Sequence, residues 1–452
     1  MARFGLPFRG AKDPSMTAGP PQPTPDALGP EADTAGPGTG PGADEDARGV
    51  GPDAVEAGTA AAGAPAGPVD DAPTDALRAD APGEDDDTVI ASELSAAAFA
   101  DLLVGYCLEP EPGDQVLVRS TDLATPLLVE LQRAILQRDA WPLIRVELPG
   151  QTEGFYRHAQ DRHLDELSPL ALEEARQAQR SLSIQAPEDT SALAEIDPER
   201  LARAARGRRE ARELTLQSRW ATTLWPTAAL ADRAGMSLRE LSAFVARATF
   251  LDRKDPLRAW SGLRDFQARL IERLQGVEEL RIEAEGTDLT LRVAGRTWVN
   301  SDGRRNMPSG EVFTGPLESS ATGTIRYTVP SSPAGVEVSG VELTFRDGEV
   351  VEHRADVGGE YLERALATDD GARYLGEVGI GTNFGIDRAI GVILFDEKIG
   401  GTVHTALGRS YPETGGVNES ALHWDLICDL RRGGRLYADG EVLQENGRFA
   451  RL

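Results

Sequence analysis

The chain has 452 residues and a formal net charge of −27, from 74 acidic against 47 basic side chains, with 40% hydrophobic residues. So large an acid excess excludes a binder of phosphate backbones or anionic lipid surfaces, both of which need clustered cations. No apolar run approaches the ~20 residues that span a bilayer, the opening MARFGLPFRGAKDP lacks the apolar stretch of a secretory signal, and Cys107 and Cys428 are too few for a disulfide framework, so a cytoplasmic protein is expected.

Residues 1–88 carry 14 of the 29 prolines, 14 of the 48 glycines and 17 acids against 5 bases. With few branched or aromatic side chains to bury, this stretch reads as a disordered acidic leader. Order is expected from about Val89. Ser92–Tyr106 has apolar residues at helical spacing behind a serine cap. Gln115–Arg119 reads as a buried strand, Thr125–Arg138 as a helix and Leu143–Leu148 as a second strand, a βαβ unit that implies a parallel sheet. The turn Ser120–Thr125 holds no glycine, which excludes a phosphate-cradling loop. From Pro169 to Leu274 the pattern is mainly helical, and the arginine-rich Pro198–Leu214 reads as a solvated helix face with i,i+4 pairs. Beyond Leu280 the texture changes to short alternating strands: Leu280–Ala284, Asp288–Val293, Thr324–Val329, Val341–Phe345 and Ile390–Phe395. The expectation is therefore an α/β protein of two domains: a parallel-sheet domain over 89–277 and a β-rich α+β catalytic domain over 278–452.

Metal-binding residue types concentrate in that second domain. Glu311 stands between a Pro/Gly turn and an apolar strand start, and Glu377 lies within an apolar strand, places where a carboxylate needs a partner. His423 and Asp425 are two apart in an extended segment and converge on one face, with Trp424 on the other. With Glu397 and His404 they make a mixed imidazole and carboxylate set that suits Zn²⁺, Co²⁺, Mn²⁺ or Mg²⁺. Competing signals are weaker. His158 and His163 have the wrong spacing for a helical metalloprotease pair, Ser420 has no nucleophile elbow around it, Cys428 reads as core, and His353 reads as exposed on a hairpin.

The blocks NMPSGEVFTGP, LGEVGIG, FDEKIGGTVHTALG, YPETGG and HWDLICDL occur in that order. Together with LLVGYCLEPEPGDQVLVRS nearer the start, they resemble the M29 family of metal-dependent aminopeptidases over about residues 95–450. The resemblance implies two divalent ions, with Glu311, Glu377, Glu397, His404, His423 and Asp425 as ligands. It implies that Glu377 is shared between the ions or acts as the general base, and that the Tyr411 phenol hydrogen-bonds the tetrahedral intermediate. It also implies peptide substrates and a homodimer. Glu413 or Asp302 is offered as the acceptor of a substrate's α-amino group. The rival readings are a non-catalytic metal-binding relative acting through interactions, and another dinuclear amide hydrolase.

Overall fold

The computed structural model describes residues 94–193 and 196–451; the expected leader over 1–88 lies outside them. Ser95 caps the first helix, Ala96–Leu102, its side chain accepting from the amide of Ala98, and the chain continues as a π-helical turn, Leu103–Leu108. The predicted βαβ unit is present as Gln115–Thr121, Thr125–Leu136 and Trp141–Glu147, the two strands in parallel register. The sheet then grows on the other side of Gln115–Thr121, through Arg180–Gln185 and Arg219–Leu224. Both of these strands fall where a mainly helical pattern was predicted. Arg180–Gln185 has only Leu182 and Ile184 as apolar residues and Arg219–Leu224 has no regular alternation, so the signal comes from nonlocal partners rather than from local composition. The arginine-rich stretch forms two helices, Pro198–Gly207 and Arg209–Gln217. Most of its ion pairs run to neighbouring helices, Arg203 to Asp161 and Asp165 and Glu210 to Arg176, and the one within a helix, Arg206 to Glu199, is spaced i,i+7 rather than i,i+4.

Two antiparallel sheets follow. The larger has eight strands and contains Glu279–Ala284, Thr287–Arg292, Thr322–Arg326 and Glu342–Arg346 near their predicted places. The smaller runs in the order His423–Asp429, Thr402–Gly408, Leu375–Gly381, Glu311–Thr314, Val299–Ser301. The predicted strand Ile390–Phe395 is instead a turn followed by a four-residue helix, Ile393–Asp396. Gly391 takes a left-handed conformation there, and the buried Asp396 carboxylate accepts the Ile390 amide at 2.8 Å, which folds the segment back on itself.

The composition change near residue 277 separates parallel from antiparallel architecture, yet the hydrophobic core runs continuously across it. Asn306–Met307 pairs in parallel with Arg219–Leu224 and so adds a fifth strand to the amino-terminal sheet. Thr223 clamps this strand by donating to the Met307 carbonyl at 2.6 Å. The long helix Pro256–Leu274 packs beside it, with the Trp260 ring against Gly303. No helix among the described residues is long and apolar enough to cross a membrane.

Candidate metal centre

Strand register puts the candidate ligands on one face of the smaller antiparallel sheet. Glu311 lies opposite Gly381, His404 opposite Gly379, Asp425 opposite Ala406 and then Glu377, and His423 opposite Gly408. Each long polar side chain thus has glycine or alanine beside it across the strands, which leaves room for the functional groups to converge. Gly379 shows how tight the arrangement is: a Cβ added there would lie 2.1 Å from Cε1 of the His404 ring and 2.2 Å from its Nε2. The imidazole can lie across the sheet only because residue 379 has no side chain.

The groups meet in two overlapping sets. Glu311, Glu377 and His404 bring ligand atoms within 4.8 Å of one another, as do Glu377, His423 and Asp425. His404 Nε2 is 3.2 Å from Glu377 Oε1 and 3.6 Å from Glu311 Oε2. His423 Nε2 is 3.5 Å from Asp425 Oδ2 and 3.9 Å from Glu377 Oε2. Glu377 therefore stands between the sets with one oxygen toward each. The His423 Nδ1 lies 2.9 Å from the Arg409 carbonyl, a partner that takes the ring's N–H and leaves the Nε2 lone pair facing the cage.

Burial makes this arrangement costly without cations. His404 is wholly buried, and Glu311 and Glu377 are 4% and 5% exposed. Burial raises Glu377 above the usual carboxylate range against the pull of His404. Burial alone would lower both imidazoles, but the surrounding carboxylates outweigh it, Glu377 first for His404 and Asp425 first for His423, and push them up to about 9 and about 10. Burial would raise Asp425, yet His423 beside it holds it down at about 2. The Glu311 Oε2 atom is buried with no hydrogen-bond partner. An orphaned carboxylate oxygen, imidazoles driven to take protons and a shared carboxylate are what a site built for cations looks like with protons in their place. The residues fit divalent metal.

The surroundings hold these candidate ligands in place. Gln267, wholly buried on the long helix, donates to the Glu311 carbonyl at 2.6 Å. Asn383 donates to the carbonyls of Ser309 and Ala248, fixing the turn that enters the Glu311 strand. Tyr411 sits at the rim, its ring edge-on to His423 with centroids 5.2 Å apart. Burial and the nearby carboxylates, Glu377 first, keep its phenol protonated well above neutrality.

Glu397 belongs to neither set. It lies on the turn after Ile393–Asp396, and its Oε1 contacts the Lys398 ammonium. Burial, opposed by Lys398 and reinforced by Glu311, pushes it up to about 8. Lys398 is wholly buried and also donates to Glu311 Oε1 at 2.8 Å. Reading the sequence missed this residue, although the chain has only three lysines among 47 basic side chains and keeps one of them here.

A cleft of about 1150 Å³ opens beside the cage and includes His423 and Asp425 in its wall. The opposite wall comes from the loops that follow the first three parallel strands, around Asp122, Glu147 and Gln185. Ligands of parallel sheets bind at this carboxyl end. Neither Asp302 nor Glu413 lines the cleft: Asp302 lies 3.7 Å from Arg304, and Glu413 is exposed. The remaining candidates are accounted for elsewhere. His158, His163 and His353 are exposed, Cys428 is buried, and Ser420 donates to Asp369.

The model of the thermophilic metalloprotease (M29) family matches residues 93–449, across nearly all of the described region. The chain belongs to the M29 family. It is 31% identical over 376 residues to aminopeptidase 2 of Geobacillus stearothermophilus, covering 73% of this chain and 90% of that protein. It is 32% identical over 244 residues to aminopeptidase T of Thermus thermophilus, covering 47% of this chain and 59% of that one. The solved structure of wild-type AmpT from Thermus thermophilus shares the fold, with a TM-score of 0.69 at 24% identity over 79% of this chain and 99% of that one. As a member of the M29 family the chain is a metal-dependent peptide hydrolase, and its cage is the place where such a metal fits.

Proposed function

We propose that this M29 protein is an aminopeptidase that holds two divalent cations, Zn²⁺, Co²⁺, Mn²⁺ or Mg²⁺, with Glu377 shared between them. The observation that carries the reading is the pair of three-residue sets with Glu377 in common. Glu311 and His404 complete one set of ligands, and His423 and Asp425 complete the other. When bound, the ions supply an activated water and a Lewis acid for the scissile carbonyl.

The chain's own residues supply the rest. Glu377 offsets charge from both sides and fixes the spacing of the two sets. The Arg409 carbonyl holds His423 in the tautomer that points Nε2 inward. The Tyr411 phenol, protonated at neutral pH, donates to the oxygen on which negative charge develops. The cleft wall from Glu147 to Gln185 receives the peptide beyond its first residue. The same reading takes the working particle as a cytoplasmic homodimer. Two free, buried cysteines fit a reducing compartment, and the oligomeric state is checked by light scattering.

The test is a panel of aminoacyl-p-nitroanilides with their N-acetylated counterparts, assayed before and after chelation. Free-amino substrates are cleaved, acetylated ones are not, and activity is lost on chelation and returns with added cation. Glu377→Gln lowers kcat by roughly 10³-fold or more while the circular dichroism spectrum stays unchanged. Metal uptake without hydrolysis of any aminoacyl amide would replace this reading with a non-catalytic one, and cleavage of acetylated amides with a broader amide hydrolase.

A further inference from the structure

Four carboxylates, Glu311, Glu377, Glu397 and Asp425, lie at the cage, and Lys398 places its buried ammonium against two of them, Glu311 and Glu397. Its ammonium bridges Glu311 and Glu397, 2.8 Å from Glu311 Oε1 and in direct contact with Glu397 Oε1, with no exposure to solvent. The two carboxylates it joins have different surroundings. The second oxygen of Glu311 is buried, has no hydrogen-bond partner and faces His404 Nε2 at 3.6 Å. Glu397 lies within electrostatic reach of Glu311, Asp425 and His404, yet it joins neither set of converging ligand atoms. We infer that Lys398 is a positioning residue: it occupies one oxygen of Glu311 so that the other faces the metal, and it holds Glu397 to itself and away from the two ligand sets.

A buried carboxylate next to divalent cations is drawn into their coordination unless a fixed charge holds it elsewhere. A lysine suits that task because its compact ammonium fits between two oxygens where a planar guanidinium would need a wider gap. Without the ammonium, Glu311 and Glu397 would repel each other across a dry space. Turning Glu397 toward the cations is the available relief. The cage would then gain a ligand.

The inference rests on the two-cation reading, and Co²⁺ separates the two. The full chain is stripped with chelator and titrated with Co²⁺, whose visible bands weaken as its coordination number rises. Glu397→Gln, which keeps its shape, leaves both the stoichiometry and the bands as in the unsubstituted protein. Lys398→Met retains Co²⁺ but weakens its bands, and the double variant Lys398→Met with Glu397→Gln restores them. In parallel, Lys398→Met lowers kcat by roughly 100-fold or more with KM little changed. A band change in Glu397→Gln alone overturns the inference even if Lys398→Met fails to fold, because Glu397 would then already be a ligand. Unchanged bands in a folded Lys398→Met overturn it as well. If the unsubstituted protein takes up no Co²⁺, the two-cation reading itself fails, and the inference with it.

Discussion

The parallel sheet and the smaller antiparallel sheet each have five strands, but they use burial for opposite purposes. In Gln115–Thr121 and Arg180–Gln185 the buried positions are mostly apolar, and polar residues reach solvent or the cleft at the carboxyl ends. In Leu375–Gly381 and Thr402–Gly408 all fourteen residues are buried, and they include Glu377 and His404. One sheet removes hydrocarbon from water, which favours folding directly. The other removes charge from water, which opposes folding until cations arrive. Stability and chemistry are therefore separable: substitutions in the first sheet should change melting, and substitutions in the second should change metal content.

The substitution that presses this contrast hardest is Gly379→Ala. The new methyl would occupy the His404 ring position, so metal content falls and kcat drops by roughly 100-fold, as for loss of an oriented ligand. Metal analysis of the purified variant checks it, and a fully loaded, fully active protein would break the contrast. In the parallel sheet, Leu182→Ala leaves a cavity at a position 1% exposed and costs about 2–5 kcal/mol in thermal or denaturant unfolding. Its kcat and metal content stay as before at temperatures where it is folded.

A pH series sharpens the comparison further. With metal removed, His404 and His423 hold protons up to about 9 and about 10. Because these values are raised, the stability they contribute is fully present below the unfolded value near ~6.5 and is lost as pH rises through the folded ones. The chelated protein should thus melt at progressively lower temperature between those limits, while the loaded protein, whose imidazoles carry no such proton, shows no matching decline. Cation affinity runs the other way and rises with pH over the same window. Differential scanning fluorimetry with and without chelator measures the first, and titration calorimetry measures the second. The smallest effect belongs to Gly154→Ala, half-buried in the helix Gln151–His158 of the parallel half. No atom lies within 4 Å of the added methyl, so activity is unchanged and melting rises slightly or not at all.

Much of the site was legible because its residues sit in short blocks that mix glycine with charge, such as LGEVGIG and HWDLICDL. A carboxylate placed at an apolar strand position already demands a partner, and the i,i+2 spacing of His423 and Asp425 fixes a common face. What could not be read was pairing. Arg180–Gln185 and Arg219–Leu224 are strands because neighbours hydrogen-bond them on both sides, and nothing within RSLSIQ or RWATTL says so. Ile390–Phe395 failed as a strand for the converse reason: its apolar composition suits one, but the Asp396 carboxylate captures the Ile390 amide and curls the segment. Lys398 went unnoticed because a lysine beside a glutamate in a sequence usually means solvent. Only the fold reveals that Glu311, 87 residues earlier, shares it.

The path of residues 299–314 has one more consequence. Within that stretch the chain leaves the antiparallel sheet at Ser301, adds Asn306–Met307 to the parallel one, and returns at Glu311. It works as a basting stitch between two layers of cloth, with the buried Glu311 carboxylate as its knot. On the proposed reading a cation gripping Glu311 would pull on both layers, so it would tie the parallel sheet to the antiparallel one, and the enzyme would be drawn taut by the ion it employs.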